Sequence, residues 1–261
     1  MQVTILGSGT STGVPVLGKN GPVNNSTDEH DKRLRSSILI ENDLTFIVDT
    51  GPDFRAQMLN NNTHHLDAVL YTHFHYDHIG GLDDLRPLTY LHEDGLTIHC
   101  DKTTYDYIYQ RYDYIKADSQ YKIKPKLKFE ILNKNSDGIY EAFQIGKTKV
   151  QPVEAIHVPD LNISSVGYIF NDTLLYLTDF KELRPGYEEL LLTVKTAILG
   201  SPLPHEHPSH VSIPQAIDLM KEWEIEQGYI THLSDKKNHE ELEMELPSFI
   251  SPAYDGLVIK I

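Results

Sequence analysis

Apolar positions along the chain fall mostly into short runs cut by polar and glycine-bearing breaks, the pattern of strands, and in two places recur at spacings of three and four, the pattern of helices. Residues 2–6, 37–41 and 44–49 read as strands, the last two joined by a tight turn at Asn42-Asp43. Residues 66–71 form a buried strand, and 147–170 is strand-like with an interruption at 155–159. Further strands follow at 173–177, 196–199, 228–231 and 257–261. Asp101 caps a helix whose apolar positions are Tyr105, Ile108, Tyr109, Tyr112 and Ile115. Ser212 with Gln215 resembles a capping box ahead of the face Ile213, Ala216, Ile217, Met220 and Trp223. Residues 80–88 read as a loop and a short helix. No low-complexity linker divides the 261 residues, so one α/β domain over 1–261, in two sheet layers, is expected.

The chemistry collects where strands end. His73-Phe74-His75-Tyr76-Asp77-His78 sets three imidazoles and a carboxylate in six residues after the 66–71 run, and Gly80-Gly81 stops any continuation. Imidazole and carboxylate donors suit zinc, manganese or iron(II), and no thiolate is supplied for softer ions. His73 and His75, two apart, can face one way on extended chain, whereas Asp77 and His78 lie past the bend and face a second ion. A polar loop that is merely rich in histidine is the rival reading, and the density of ligands outweighs it. His157, Asp179 and His232 repeat the arrangement singly. Asp49, ending 44–49, reads as a carboxylate that orients one of the histidines.

Other residues admit two readings each. Arg86 can clamp a phosphate in bidentate fashion or simply pair with Asp83 or Asp84. The glycine-rich segment 7–15 could cradle a phosphate, but no helix start follows it. The tyrosines of the helix after Asp101 could stack a base, though packing on the core is the plainer role. Lys122, Lys124, Lys126 and Lys128 alternate on an expected edge strand, protecting it from pairing or steering anions.

A formal charge of −15 argues against wrapping a long nucleic acid, whose binding draws its affinity from lysine and arginine. It does not exclude a small anion, because two divalent cations make one pocket electropositive within an acidic protein. The single cysteine, Cys100, rules out an internal disulfide and fits strand packing. No run approaches membrane-spanning length and no signal-type segment opens the chain, so a cytoplasmic protein without membrane contact is expected. Oligomeric state is left open, with a homodimer compatible.

Taken in order, His-x-His-x-Asp-His at 73–78 followed by His157, Asp179 and His232 resembles the metallo-β-lactamase superfamily over nearly the whole chain. The resemblance implies a four-layer αβ/βα sandwich with two divalent metals at one edge. His73, His75 and His157 would hold the first, Asp77, His78 and His232 the second, and Asp179 would bridge. Two such ions about 3.5–4 Å apart share a water acidic enough to supply a bridging hydroxide nucleophile. Segments 7–15 and 33–37, Gly167-Tyr168, Tyr176-Leu177-Thr178-Asp179 and Tyr254-Asp255-Gly256 further resemble the phosphoribosyl 1,2-cyclic phosphate phosphodiesterase branch.

That branch places His210 against the substrate phosphate, where it can protonate the departing alkoxide or a phosphoryl oxygen. The expectation is therefore a phosphodiesterase acting on a small cyclic phosphodiester. Asp77 and His210 are its catalytic residues, and His210 and Arg86 contact substrate. Where the branch binds a structural zinc through three cysteines and a histidine, this chain has Lys19, Gly21, Asn24 and Asp235, so no cysteine-bound zinc is expected. The rivals are a tRNA 3′-end-processing endonuclease, a carboxylic ester, lactone or thioester hydrolase, and a non-enzymatic binding module. The acidic balance and the lack of a long basic, glycine-rich arm weigh against the first, and the complete ligand set against the last.

Overall fold

A computed structural model describes residues 1–116 and 124–261, and every count below refers to these. The first part of the chain supplies β1 (Gln2–Gly7), β2 (Ser37–Glu41), β3 (Thr45–Val48), α1 (Phe54–Asn60), β4 (Ala68–Leu70), α2 (Tyr76–Ile79), α3 (Arg86–Thr89), β5 (Leu96–Cys100), α4 (Lys102–Arg111) and β6 (Leu127–Ile131). The second supplies β7 (Phe143–Ile145), β8 (Thr148–Val158), β9 (Ile163–Phe170), β10 (Leu174–Leu177), β11 (Glu182–Leu183), α5 (Glu188–Leu191), β12 (Thr196–Gly200), α6 (Ile213–Glu222), β13 (Gln227–Thr231), α7 (His239–Glu245), β14 (Ile250–Pro252) and β15 (Val258–Lys260). One sheet runs β15-β1-β2-β3-β4-β5-β6, the other β11-β8-β9-β10-β12-β13-β14, with β7 paired to β8.

Strand alternation decides how these sheets stack. In β10, Leu174 and Tyr176 point to the space between the sheets, where they join Val3, Ile5, Phe46, Val48 and Phe170. Leu175 and Leu177 point the other way, onto Ala216, Met220 and Trp223 of α6 and its end. In β3 the same rule sends Ile47 outward with Phe54, Met58 and Ile108 beneath α1 and α4. The result is helix, sheet, sheet, helix, the metallo-β-lactamase arrangement. Each fully buried leucine, isoleucine or phenylalanine contributes about 1.5–3 kcal/mol to holding these layers together.

Within each sheet a parallel set ends at the same edge. β3, β4, β5 and β6 are parallel, and so are β10, β12, β13 and β14. Asp49, His73, Asp179 and His232 follow β3, β4, β10 and β13, so the carboxyl ends of strands gather the chemistry, as in open α/β sheets generally.

Several expectations change in detail. β8 does not break before His157. It continues to Val158, with a bulge between Ile156 and Val158 that re-aims the histidine, and a 3-10 turn at Pro159–Leu161 ends it. The lysine strip is not one strand: Lys122 lies outside the described residues, Lys124 and Lys126 precede β6, and Lys128 pairs with Glu130 at 2.7 Å on that edge strand. Both expected helix caps form, with Asp101 accepting from the amides of Thr103 and Thr104 and the Ser212–Gln215 box closing on α6. Cys100 is buried in β5.

The glycine-rich segment threads the structure instead of opening to a ligand. Gly9 donates to the Leu34 carbonyl (2.8 Å), Thr10 to that of Leu233 (3.0 Å), and a side chain on Gly9 would meet the Arg33 carbonyl oxygen at 2.8 Å. Beside it, the Asp255 carboxylate accepts from the Ser8 amide and hydroxyl (2.8 Å each) and the Leu34 amide (2.7 Å), while Arg33 donates to Ser8 Oγ at 2.9 Å. This buried polar hub ties the beginning and end of the chain to residues 33–36.

Candidate dinuclear metal centre

Two groups of donors form at the shared edge. His73, His75 and His157 each offer a nitrogen, all within 4.8 Å of one another, and nitrogens of His78 and His232 with carboxylate oxygens of Asp77 and Asp179 lie within the same distance of one another. The rings of His73 and His75 are 4.5 Å apart, and those of His75 and His157 5.1 Å. Asp179 touches both groups: its Oδ2 lies 3.2 Å from His78 Nε2, and its Oδ1 lies 3.4 Å from His232 Nε2 and 3.8 Å from His157 Nε2. The seven residues singled out in the sequence thus come together, in the two sets expected of them.

Hydrogen bonds behind the rings aim their lone pairs. His78 Nδ1 donates to Asp49 Oδ2 at 2.6 Å, and Thr72 donates its amide and hydroxyl to the same carboxylate at 2.8 and 2.9 Å. Because the Thr72 hydrogen goes to Asp49, His73 Nδ1, 3.0 Å away, donates to Thr72 Oγ1. His157 Nδ1 donates to the Ser209 carbonyl at 2.9 Å. In each case the remaining nitrogen, Nε2, is the one left facing the centre to ligate. The backbone is bent to allow it. Asp49, Asp179 and His232 all have left-handed φ values (64°, 39° and 59°), and at non-glycine residues such strain, about 1–3 kcal/mol each, collects at functional sites.

Orphaned atoms test whether this donor set fits cations. His73 Nε2, His78 Nε2 and Asp179 Oδ2 are buried without a hydrogen-bond partner, which a folded protein seldom tolerates unless something else satisfies them. Burial lowers the pKa of His73, His75 and His157, keeping them neutral. Burial opposes ionisation of Asp179, yet His232 and His78 hold its carboxyl well below the usual range. Burial would also lower the pKa of His78, but Asp77, Asp179 and Asp49 together raise it well above the usual histidine range, so these carboxylates favour a positive charge among them. A divalent cation held by His78 would take the place of that charge. The cluster is compatible with a dinuclear metal site of oxygen and nitrogen donors.

His210 reaches the same place from the loop between β12 and α6. Its Nε2 is 3.9 Å from Asp179 Oδ1, its ring 4.9 Å from that of His157, and with those two it forms a third close group of donors. Arg86, by contrast, is engaged elsewhere: its Nη2 donates to Asp83 Oδ1 at 2.7 Å, and Tyr114 donates to that same oxygen. The plainer of its two readings, pairing with Asp83, describes this contact. Asp235 accepts from Asn24 Nδ2 at 2.8 Å and pairs with Lys19 at 3.2 Å, joining three of the four positions compared with the structural zinc. Residues that sequence reasoning passed over include Thr72, Ser36 and Ser209, which orient His73, His232 and His157. Ser36 was visible within the 33–37 motif, but nothing in the sequence linked it to His232.

Comparison with known proteins agrees with this geometry. A diphosphatase of the PhnP family has a solved structure with 32% sequence identity and a TM-score of 0.88, covering 99% of this chain and 96% of that one. Zinc-bound PqqB from Methylobacterium extorquens shares the fold at 18% identity, TM-score 0.79, with 100% of each chain covered. An octanoyltransferase of Porphyromonas gingivalis (strain ATCC BAA-308 / W83) is 36% identical over 262 residues, 98% of this chain but 51% of that protein, so the chain spans about half the length of this curated relative. The profile of the β-lactamase superfamily domain matches residues 45–233, a span that holds every donor named above, and the chain belongs to that superfamily.

Proposed function

We propose that the enzyme hydrolyses a small anionic phosphodiester, with a cyclic ribose phosphate such as phosphoribosyl 1,2-cyclic phosphate as the type of substrate. The observation that carries this is the position of His210, whose ring faces Asp179, the carboxylate common to both donor groups. A ring there adds a hydrogen-bond donor where a phosphoryl oxygen would sit. The likeness to a PhnP-family diphosphatase supports a phosphoryl substrate. The transferase activity named for the Porphyromonas gingivalis relative belongs to a protein of which this chain spans half.

Divalent cations, zinc or manganese with iron(II) as a further option, would be held by His73, His75 and His157 on one side and Asp77, His78 and His232 on the other, with Asp179 between. When bound they polarise the phosphoryl oxygens and activate water. The chain's own residues do the rest. Asp49, Thr72, Ser36 and Ser209 keep the imidazoles oriented. Burial lowers the pKa of His210 to about 3, so its resting ring is neutral and acts through one N–H, a hydrogen bond to the phosphoryl oxygen on which charge develops. The anionic substrate raises that pKa on arrival, so the ring takes up a second proton from solvent and passes it to the leaving oxygen, returning to the neutral form.

The test is kcat/KM of the metal-reconstituted enzyme on a cyclic ribose phosphate, bis(p-nitrophenyl) phosphate, p-nitrophenyl octanoate and a pre-tRNA. The cyclic phosphate should lead the others by about 100-fold or more. Faster cleavage of the octanoate ester or the pre-tRNA overturns the proposal.

A further inference from the structure

The segment that follows His232 is fastened to a loop far away in sequence. Residues 16–26 lie between β1 and β2, belong to no helix or strand, and bury one apolar side chain, Val23, while Leu17 stands almost wholly in solvent. A single buried valine is a slender anchor for a loop of this length. Polar contacts hold it instead. Asn24 Oδ1 accepts from the Val16 amide at 2.5 Å, which closes the loop on itself, and Asn24 Nδ2 donates to Asp235 Oδ2 at 2.8 Å. Lys19 Nζ reaches the same carboxylate at 3.2 Å. The Lys19 side chain is half exposed, but that of Asp235 is only 10% exposed, so these two partners lie at its better-covered end.

Asp235 stands three residues beyond His232, whose φ of 59° is a left-handed conformation that a non-glycine residue keeps only when its surroundings impose it. Those surroundings are visible on the C-terminal side. The Leu233 amide donates to the Ser8 carbonyl (2.8 Å), the Ser234 hydroxyl to the Pro202 carbonyl (2.5 Å), and Asp235 closes the turn on Asn24 and Lys19. Of the four residues compared above with a cysteine-bound zinc, only Asp235 offers a zinc-type donor. Lys19 brings a positive charge of its own, so the set does not fit that metal.

We propose that Lys19, Asn24 and Asp235 form a metal-independent clamp that fixes the turn after His232, making Asp235 a positioning residue for the cation held by Asp77, His78 and His232. An ammonium and an amide here draw two distant segments onto one carboxylate, the task a bound cation performs at a structural metal site. The inference concerns the metal centre and stands whichever substrate the enzyme takes. Its strongest link is the Asn24–Asp235 bond, in which the acceptor is ionised and little exposed. The Lys19 pair is screened by water and adds less. Because Asp235 acts through the backbone of 232–235, its loss shifts His232 and leaves the His73–His75–His157 group in place.

The experiment takes two readouts in the wild type, Asp235→Ala, Asp235→Asn, Asn24→Ala and Lys19→Met: a two-step titration with zinc, and hydrogen exchange of the Val16 amide with and without zinc. Asp235→Ala and Asn24→Ala should each weaken the Asp77–His78–His232 site by about 3- to 10-fold with the other site unchanged, and the double variant should lose no more than either alone. Asp235→Asn keeps an acceptor for Asn24 and should restore most of the affinity. Lys19→Met should lower it by less than about 3-fold. In the wild type the Val16 amide should be equally protected with and without zinc, and each chain should bind two zinc ions. Unchanged affinity in Asp235→Ala, or equal weakening of both sites, overturns the positioning role. A third zinc ion that Asp235→Ala abolishes, or protection of Val16 that appears only with zinc, overturns the metal-independent clamp.

Discussion

Ser36 Oγ lies 3.1 Å from Nδ1 of His232, and it also donates its own hydrogen to the Gly9 carbonyl at 3.0 Å. With that hydrogen committed, Ser36 can only accept from the imidazole, which fixes the His232 proton on Nδ1 and leaves Nε2 for a cation. Ser36→Ala removes the acceptor and the hydroxyl bond to Gly9, while the Ser36 amide still donates to the Gly9 carbonyl at 3.1 Å. Affinity at the Asp77–His78–His232 side should fall by about 10-fold, while the His73–His75–His157 side is unaffected. A two-step metal titration separates the sites. Equal weakening of both would show that Ser36 does not act through His232.

Asp49 does more, because one buried carboxylate holds His78 and Thr72, and Thr72 in turn receives the proton of His73. Asparagine at 49 keeps one acceptor but points an N–H₂ at His78 Nδ1 and the Thr72 hydroxyl, and His78 can accept it only by moving its proton to Nε2, the ligating nitrogen. Asp49→Asn should lower affinity for both metals by about 10- to 100-fold. It should also cost about 1–3 kcal/mol of stability through the donors left without acceptors. Competition with a chromophoric chelator and urea unfolding measure the two effects. Unchanged affinity at either site contradicts the chain of bonds described.

A third prediction concerns space. A Cβ added to Gly51 would lie 2.1 Å from the backbone oxygen of Asp77, well inside contact distance and against an atom that cannot rotate away. The Thr50 amide donates to the His78 carbonyl at 2.8 Å, so the two loops are already locked together. Gly51→Ala must push α2 outward, taking Asp77 and His78 with it. Loss of metal at that side should accompany destabilisation of about 1–3 kcal/mol. A variant with full metal content and an unshifted melting temperature would show that the loops tolerate the separation.

These couplings mark the limit of what could be read from the chain. The candidate donors were legible because they cluster at or just after the ends of apolar runs, and their order resembles that of the metallo-β-lactamase superfamily. Layer structure was legible too, since Leu174 to Leu177 and Phe46 to Val48 are apolar at every position, as strands covered on both faces must be. The true placement of His157 was not, because a bulge leaves no mark in composition and Pro159 suggested an earlier break. Arg86 had Asp83 one turn away, a local signal that gave one of its two readings. α7 was passed over although Asn238 and Glu241 form a capping box, because its sequence is almost wholly polar. Contacts such as Ser36–His232, 196 residues apart, exist only once the sheets have packed.

Away from the centre, His99 gives a pH signature. It is half-buried against Phe143, and burial lowers its pKa to about 4 from an ordinary 6.5. The folded state therefore binds fewer protons than the unfolded chain between those values. Stability contributed by the neutral ring is complete above about pH 6.5 and is lost as the pH falls toward about 4, by at most about 3 kcal/mol. Urea unfolding at about pH 7 and about pH 4.5 should show a smaller acid loss for His99→Gln than for the wild type. Parallel losses in the two proteins would place the acid sensitivity elsewhere.

The sharpest mechanistic prediction is His210→Ala. His210 shares Asp179 with the ligands, yet the seven other donors already make two sets without it. If the ring acts on the phosphoryl group, its removal leaves both metals bound and reduces kcat by about 10²- to 10⁴-fold. The chemistry predicts a further distinction. A substrate with a good leaving group, such as a p-nitrophenyl diester, needs less help on departure, so it should lose less than an alkyl diester in the same variant. Loss of a metal in His210→Ala would make the residue a ligand through the group it forms with His157 and Asp179. Equal losses on both diesters would restrict it to binding the phosphoryl oxygen, with no part in protonating the leaving group.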